Sequence, residues 1–142
     1  MENFTIATAE SCTGGLFASR LTDFAGASNY FNGGVVAYTN EIKKSVLRVK
    51  AETLENFGAV SCQTALEMAA NVREIFNSTF GLSTTGVAGP STSEGKPVGT
   101  VFIAIVGENL SEVREFHFTG SRSEIKFQTA DEAFKLLMQH TT

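Results

Sequence analysis

Apolar and polar positions along this chain follow two spacings, one typical of strands and one typical of helices. The clearest strand is the run 99–106, which is almost wholly apolar and rich in β-branched residues, as a central strand requires. Residues 113–118 alternate instead, which indicates a more exposed strand that pairs antiparallel to it. The predicted strands cover residues 4–9, 33–38, 80–87, 99–106 and 113–118.

Helical spacing fills the segments between the strands. In each, apolar residues recur three or four positions apart, and Gly58, Ser61 and Ser121 or Ser123 stand where stop and cap residues are expected. The predicted helices cover residues 13–23, 41–46, 50–58, 62–76 and 124–138. Because strands and helices interleave, we predict an α/β fold: a single three-layer α/β/α domain over residues 1–142, with a mixed, mostly parallel sheet.

Composition limits both the number of domains and the kinds of partner. A chain of 142 residues that is 42% hydrophobic can build one hydrophobic core and is short for two. Its formal net charge of −4 offers no basic surface for nucleic acid. It has no apolar run of about 18 residues, so no membrane partner is expected. The start has no basic region and no apolar signal core, so we expect a cytoplasmic protein.

The two cysteines do not suggest a metal site. Cys12 and Cys62 form no Cys-x-x-Cys motif, and His117 and His140 lie far along the chain. We interpret both cysteines as reduced thiols rather than as a disulfide.

The stretch 5–15 carries the first candidate chemistry. A β-compatible run passes through Ser11 and Thr13 into a helix, and Gly14 would let a ligand approach the backbone. Ser11 could be a nucleophile at this helix start, or Ser11 and Thr13 could merely cap the helix. Cys12 is a weaker candidate for the nucleophile, because no histidine stands nearby in sequence to stabilise a thiolate.

A serine nucleophile needs a base. His117 would require an acidic partner to orient it, and the sequence shows no sign of such a triad. Lys43 is the alternative, provided that its surroundings lower its pKa; otherwise it is an ordinary solvated lysine. Tyr38 could relay a proton or orient that lysine, or could simply pack on its strand. Glu10 could hold Lys43 or a sugar, or could cap the helix.

Later segments offer groups suited to bind a substrate. Thr85 places a hydroxyl at a strand exit, where open α/β sheets tend to bind ligands, and Gly86 and Gly89 add exposed backbone beside it. Arg122 opens the last predicted helix and could grip a phosphate, or could be a surface arginine.

Four motifs in order resemble one protein family. They are ESCTGG at 10–15, GGVVAYTNEIK at 33–43, TTGVAGP at 84–90 and KPVGTV at 96–101. Together they resemble the CinA C-terminal domain family, whose enzymatic members are nicotinamide mononucleotide deamidases. The resemblance implies an amidohydrolase of pyridine nucleotide recycling that converts the carboxamide of nicotinamide mononucleotide to a carboxylate and releases ammonia. It also implies no cofactor or metal, and a homo-oligomer.

The resemblance also implies roles for particular residues. Ser11 and Lys43 correspond to the serine and lysine of a Ser–Lys site, with Tyr38 assisting and Glu10 grouped with them. The oxyanion would be held by backbone at the helix start or by Thr85, and the 5′-phosphate by Arg122. The implied substrate-binding residues are Thr13, Gly14, Thr85, Gly86, Gly89 and Arg122.

A rival from another class stays open: a catalytically silent domain of the same fold that binds nucleotides or a protein partner. Three departures from the family pattern motivate it, the first being that relatives usually carry a helix before the first strand, which we do not expect here. Ser121 stands where relatives commonly carry aspartate, and the loop 89–97, which we expect to be mobile, is richer in serine and threonine.

Overall fold

A five-stranded sheet forms the middle layer of the protein, as seen in a computed structural model that describes residues 3–142. The order across the sheet is β2-β1-β3-β4-β5. The strands are β1 (Ile6–Glu10), β2 (Phe31–Val36), β3 (Phe80–Gly86), β4 (Thr100–Gly107) and β5 (Leu110–His117).

The sheet is mixed, as predicted. Strand β1 pairs in parallel with both β2 and β3, whereas β4 is antiparallel to β3 and to β5. Since two reversals restore the direction, β5 runs the same way as β3. Four of the five strands therefore point one way and β4 points the other, which agrees with the prediction of a mostly parallel sheet.

Helices cover both faces of the sheet. Alternation along β1 shows the two layers, because Ile6 packs with Phe17 and Ile125 on one face, while Ala7 packs with Met68 on the other. The first face is covered by α1 and α5 and the second by α4, against which α3 packs. The helices are α1 (Leu16–Leu21), α2 (Asn40–Ser45), α3 (Ala51–Phe57), α4 (Cys62–Ile75) and α5 (Arg122–Thr141).

Local sequence signals account for the two longest helices. Ser61 caps α4 by accepting a hydrogen bond from the Thr64 N–H at 3.1 Å. Ser121 caps α5 in a capping box with Glu124, in which each side chain accepts from the other residue's backbone N–H. The caps predicted from sequence at these positions are confirmed.

The first helix is shorter than the predicted span 13–23. Gly14 and Gly15 have φ angles of +59° and +104°, which lie in the left-handed region rather than in the helical one. Helical geometry therefore begins only at Leu16. The residues 11–15 form a separate turn between β1 and α1.

The strand ends bring the candidate residues to one edge of the sheet. Glu10 is in register with Val36 of β2 and with Thr84 of β3, so the carboxyl ends of these three parallel strands coincide. The turns that follow them, together with the start of α5, meet at this edge. This is where ligands bind in open α/β sheets. Within residues 3–142, no helix is both long and apolar enough to cross a membrane.

Candidate active site

Ser11 and Lys43 are in direct contact. Lys43 Nζ lies 3.0 Å from Ser11 Oγ, a distance at which the ammonium donates to the hydroxyl. Once the amine is neutral, the same geometry lets the serine O–H donate to Nζ. Both residues are buried, with exposed fractions of 8% for Ser11 and 2% for Lys43. The pair therefore lies out of bulk solvent, where a proton transfer between the two groups is not diverted to water.

The backbone around each partner holds the pair in place. Ser11 N–H donates to the Thr84 carbonyl at 3.0 Å, which extends the β1–β3 pairing by one residue. Lys43 lies in the last turn of α2, whose first turn is capped by Thr39 Oγ1 accepting from the Ile42 N–H at 3.2 Å. The two reactive groups thus come from separate elements, one after β1 and one after β2.

Burial lowers the pKa of Lys43 below its ordinary value of 10.5. Removing an ammonium from water disfavours the charged form. A Cys12 thiolate and the carboxylate of Glu94 oppose this shift electrostatically, but the direction remains downward. A larger fraction of the lysine is therefore neutral near pH 7 than in water, as a base acting on serine requires.

The Glu10 carboxylate faces α1 rather than the lysine. One of its oxygens accepts from the Thr13 hydroxyl and from the Phe17 N–H at 2.9 Å, and the other accepts from the Ala18 N–H at 2.9 Å. These two N–H groups belong to the first turn of α1 and have no partner within the helix. The geometry supports the alternative that Glu10 caps the helix and does not support a catalytic role.

Thr13 and Gly14 do not line the pocket that contains Ser11. The Thr13 hydroxyl is fully buried and is bonded to Glu10 and to the Thr84 hydroxyl. Gly14 is exposed on the surface. The prediction that these two residues bind substrate is therefore not supported by their positions, since the glycine-rich turn bends away from the site before α1 begins.

A pocket of about 440 Å³ opens above Ser11 and Lys43. This volume falls within the range typical of small-molecule sites. Of the residues predicted from sequence, it is lined by Ser11, Tyr38, Lys43, Thr85, Gly86, Gly89 and Arg122.

Arg122 and Tyr38 meet at this pocket. The Arg122 guanidinium donates one hydrogen bond to the Gly89 carbonyl and another to the Tyr38 hydroxyl. The tyrosine hydroxyl therefore contacts the arginine, whereas the sequence suggested that it would orient Lys43. Tyr38 is 56% exposed, so this contact lies toward solvent, well separated in environment from the buried Ser11–Lys43 pair.

The Thr85 hydroxyl is already engaged, because it donates to the Ala59 carbonyl at 2.8 Å. This bond ties the end of β3 to the segment before α4. In this arrangement the hydroxyl does not point a free proton at a developing oxyanion. Thr85 thus shapes the pocket wall, and the prediction that its side chain holds the oxyanion is not supported.

His117 takes no part in the pocket. It is exposed, and its Nε2 lies 2.8 Å from Glu115 Oε2 on the same strand. Among residues 3–142 no His–acid pair therefore lies beside Ser11, and Lys43 is the base candidate that contacts the serine.

The loop 89–97 contributes Glu94, a pocket residue that the sequence analysis missed. Glu94 lines the pocket, and its carboxylate accepts from the Ala59 N–H at 2.8 Å and from the Val60 N–H at 3.1 Å. Lys96 Nζ donates to the Phe57 carbonyl at 3.0 Å and also to the Val60 carbonyl, so it braces the loop. No local pattern signals these contacts, because the partners stand more than 30 positions away in sequence.

Both cysteines are free thiols, Cys12 buried and Cys62 half-buried. Burial raises the pKa of the Cys12 thiol to about 12, so at neutral pH it is protonated and a poor nucleophile. Among residues 3–142, no cluster of three or more His, Cys, Asp or Glu side chains could hold a metal ion.

The sequence matches the family described as the CinA C-terminal domain over residues 1–141. It is 54% identical over 132 residues to a competence-damage inducible protein of Desulforamulus reducens, covering 93% of this chain and 32% of that protein. It is 50% identical over 138 residues to one of Bacillus subtilis, covering 97% of this chain and 33% of the other. The chain thus spans about a third of the length of the curated relatives it matches.

Solved structures with the same fold agree with these matches. The competence/damage inducible protein CihA from Agrobacterium tumefaciens superimposes with a TM-score of 0.94 at 40% identity, over 99% of this chain and 87% of that one. A competence-damaged protein (CinA) superfamily protein from Enterobacter cloacae superimposes with a TM-score of 0.95 at 30% identity, over 99% of this chain and 83% of that one.

The two thiols allow a test of Cys12 as a nucleophile. At pH 7.5 we expect iodoacetamide to modify Cys62 and leave Cys12 unmodified in the native protein, because the Cys12 thiolate is scarce and buried. Peptide mass spectrometry after timed quenching measures both sites. Protein unfolded in denaturant is the control, in which both cysteines should react. If native Cys12 were alkylated as fast as Cys62, Cys12 would not be the protonated, unreactive thiol described above.

Proposed function

The chain belongs to the CinA C-terminal domain family, and from that membership and the Ser11–Lys43 contact we propose that it is a nicotinamide mononucleotide amidohydrolase. The proposed reaction converts the carboxamide to a carboxylate and releases ammonia. The buried 3.0 Å contact between a serine hydroxyl and a lysine amine of lowered pKa is the observation that carries the proposal. Such pairs act as nucleophile and base in hydrolases of several folds.

In the first half of the reaction, Ser11 Oγ attacks the amide carbon and Lys43 Nζ takes the serine proton. The tetrahedral intermediate then collapses: the C–N bond breaks, and Lys43 returns its proton to the leaving nitrogen, which departs as ammonia. An ester between the substrate acyl group and Ser11 remains. Lys43 is thus base and then acid, so its pKa has to lie near the working pH, as its burial favours.

In the second half, water replaces ammonia in the pocket. Lys43 takes a proton from that water as its oxygen attacks the ester carbon, and the bond to Ser11 Oγ breaks. The proton on Lys43 returns to the serine oxygen, and the product leaves with its new carboxylate. The catalytic pair is thereby restored without any other reactant.

Arg122 and Tyr38 are suited to the phosphate of the substrate. A guanidinium at the pocket can form two charge-assisted hydrogen bonds with a phosphate. Its bonds to Gly89 O and Tyr38 OH hold it beside the pocket beforehand, which lowers the cost of ordering the side chain when a phosphate binds. We therefore assign Tyr38 to orienting Arg122.

The proposal is tested by ammonia release from nicotinamide mononucleotide. Wild-type protein should release ammonia, and Ser11→Ala should lose at least about a thousandfold in kcat, since the hydroxyl that forms the ester in this mechanism is gone. Ser111→Ala, at an exposed position of β5, is the matched control and should leave turnover unchanged. Circular dichroism checks that each variant is folded.

Two results of this assay would overturn the proposal in different ways. Measurable binding of nicotinamide mononucleotide by the wild type, without ammonia release at any pH from 6 to 9, would favour the catalytically silent alternative. Loss of activity in Cys12→Ala together with near-normal activity in Ser11→Ala would instead move the nucleophile to the thiol.

Lys43 is tested by changing its proton affinity. Lys43→Arg keeps the positive charge but cannot accept a proton, so activity should fall nearly as far as in Lys43→Met. Because the lysine must be neutral to act, the wild-type kcat/KM should decline as pH falls through the lowered pKa. Lys44→Arg, exposed on the same helix, should leave the rate and the pH profile unchanged. Substantial turnover by folded Lys43→Arg would show that the lysine is only a point charge.

Arg122 is tested by comparing a substrate that has a phosphate with one that does not. Arg122→Ala should reduce kcat/KM for nicotinamide mononucleotide about ten- to a hundredfold. The value for nicotinamide riboside should change little. Tyr38→Phe should also lower the ratio of kcat/KM for nicotinamide mononucleotide to kcat/KM for nicotinamide riboside, but by less. Lys126→Ala, one turn along α5, should leave this ratio unchanged. Equal losses on the two substrates would remove Arg122 from the phosphate site.

A further inference from the structure

Glu94 has an unusual backbone for a residue with a long side chain. Its φ angle is +57°, in the left-handed region that favours glycine. The next residue, Gly95, could adopt such an angle freely and does so with φ at +73°. A glutamate held in this conformation at the edge of a pocket indicates that its side chain contacts outweigh the conformational cost.

Those contacts join two separate pieces of chain. The Glu94 carboxylate accepts from the adjacent N–H groups of Ala59 and Val60 at 2.8 and 3.1 Å, and Lys96 Nζ lies 3.3 Å from the same carboxylate. The hydrogen bonds are strong enough to reverse the effect of burial, so the pKa of Glu94 lies below its ordinary value. At neutral pH the carboxylate is therefore ionised and forms charge-assisted bonds.

Gly58 leaves the space that this contact needs. A Cβ built on Gly58 would lie 2.5 Å from Glu94 Oε1. Any side chain at that position would push the carboxylate off the two N–H groups. The turn before α4 is thus shaped to receive Glu94.

The same turn also holds the end of β3. The Ala59 carbonyl accepts the Thr85 hydroxyl, while the Ala59 N–H donates to Glu94. At its other end the loop is tied by the Arg122 bond to the Gly89 carbonyl. The loop 89–97 is therefore fastened at both ends, and Ala59, Thr85, Gly89 and Glu94 all line the pocket.

We propose that Glu94 is a positioning residue for the reaction proposed above: its carboxylate fastens the loop 89–97 to residues 58–60 and so holds the pocket wall against which the substrate binds. This inference rests on the proposed function for its effect on turnover, but the fastening contact itself does not depend on it. Ser11 and Lys43 lie on other elements, after β1 and in α2, and the Glu94 carboxylate acts on Lys43 only by opposing the lowering of its pKa, so its removal leaves the lysine neutral at neutral pH to at least the same extent. Loss of the contact should therefore weaken substrate binding more than it slows chemistry.

The test uses two substitutions of Glu94 and one matched control. Glu94→Gln keeps the length of the side chain but loses the charge and one acceptor oxygen. Glu94→Gly removes the contact while relieving the left-handed backbone, which offsets part of the stability lost with the contact; circular dichroism checks that the variant is folded. Glu108→Gln, in the exposed turn between β4 and β5, makes the same chemical change away from the pocket.

Hydrogen exchange and steady-state kinetics give independent readouts on the full chain. In Glu94→Gly the amides of Ala59 and Val60 should exchange at least about tenfold faster than in the wild type, because each loses its acceptor, whereas in Glu94→Gln one of the two amides should do so, because one carbonyl oxygen remains. KM for nicotinamide mononucleotide should rise about tenfold while kcat stays within about threefold. Glu108→Gln should change neither quantity.

The outcomes separate this inference from the proposed function. Unchanged exchange at Ala59 and Val60 in Glu94→Gly would overturn the fastening role, whatever the activity. Faster exchange with an unchanged KM, or with kcat falling as far as KM rises, would overturn the positioning role. If the wild type released no ammonia, the proposed function would fail. The exchange data and the Kd of nicotinamide mononucleotide for the same variants would then decide the inference.

Discussion

The site depends on one buried carboxylate, that of Glu10, at the last residue of β1. A carboxylate that is only 1% exposed must be hydrogen-bonded, because an unpaired one would cost several kcal/mol. Glu10 finds its donors in the Thr13 hydroxyl and in the first N–H groups of α1. These bonds clamp the start of the helix onto the end of the strand, and Ser11 lies in the short turn between them.

Parallel pairing then brings the base to this turn. Because β2 runs beside β1 in the same direction, the chain leaving β2 enters α2 at the edge where Ser11 lies. Lys43 can thus reach the serine from a separate element. Its burial beneath the pocket both lowers its pKa and shields the pair from water. The burial of Lys43 against Ser11 therefore supplies both the short contact and the lowered lysine pKa that the proposed chemistry needs.

The pocket has a buried floor and a more exposed rim. At the floor, the serine and lysine are held by strand pairing and a helix cap. At the rim, the charged groups are held by side-chain contacts between distant segments: Arg122 with Tyr38 and Gly89, and Glu94 with residues 59 and 60. This division suits a substrate with a reactive amide at one end and a phosphate at the other. In the proposed reaction, the same division would separate the residues that act on bonds from those that bind the substrate.

The sequence alone determined the succession of strands and helices along the chain, the caps at Ser61 and Ser121, and the family. Through the family motifs it also determined the pairing of Ser11 with Lys43. Periodicity and capping are local properties, so a single sequence encodes them. The tertiary structure decided that Glu10 caps a helix, that Tyr38 bonds to Arg122, that the Thr85 hydroxyl is taken by Ala59, and that Glu94 braces the pocket. In each of these contacts, the way strands, helices and loops pack determines which partner a side chain meets. The spacing of residues along the chain does not specify that partner.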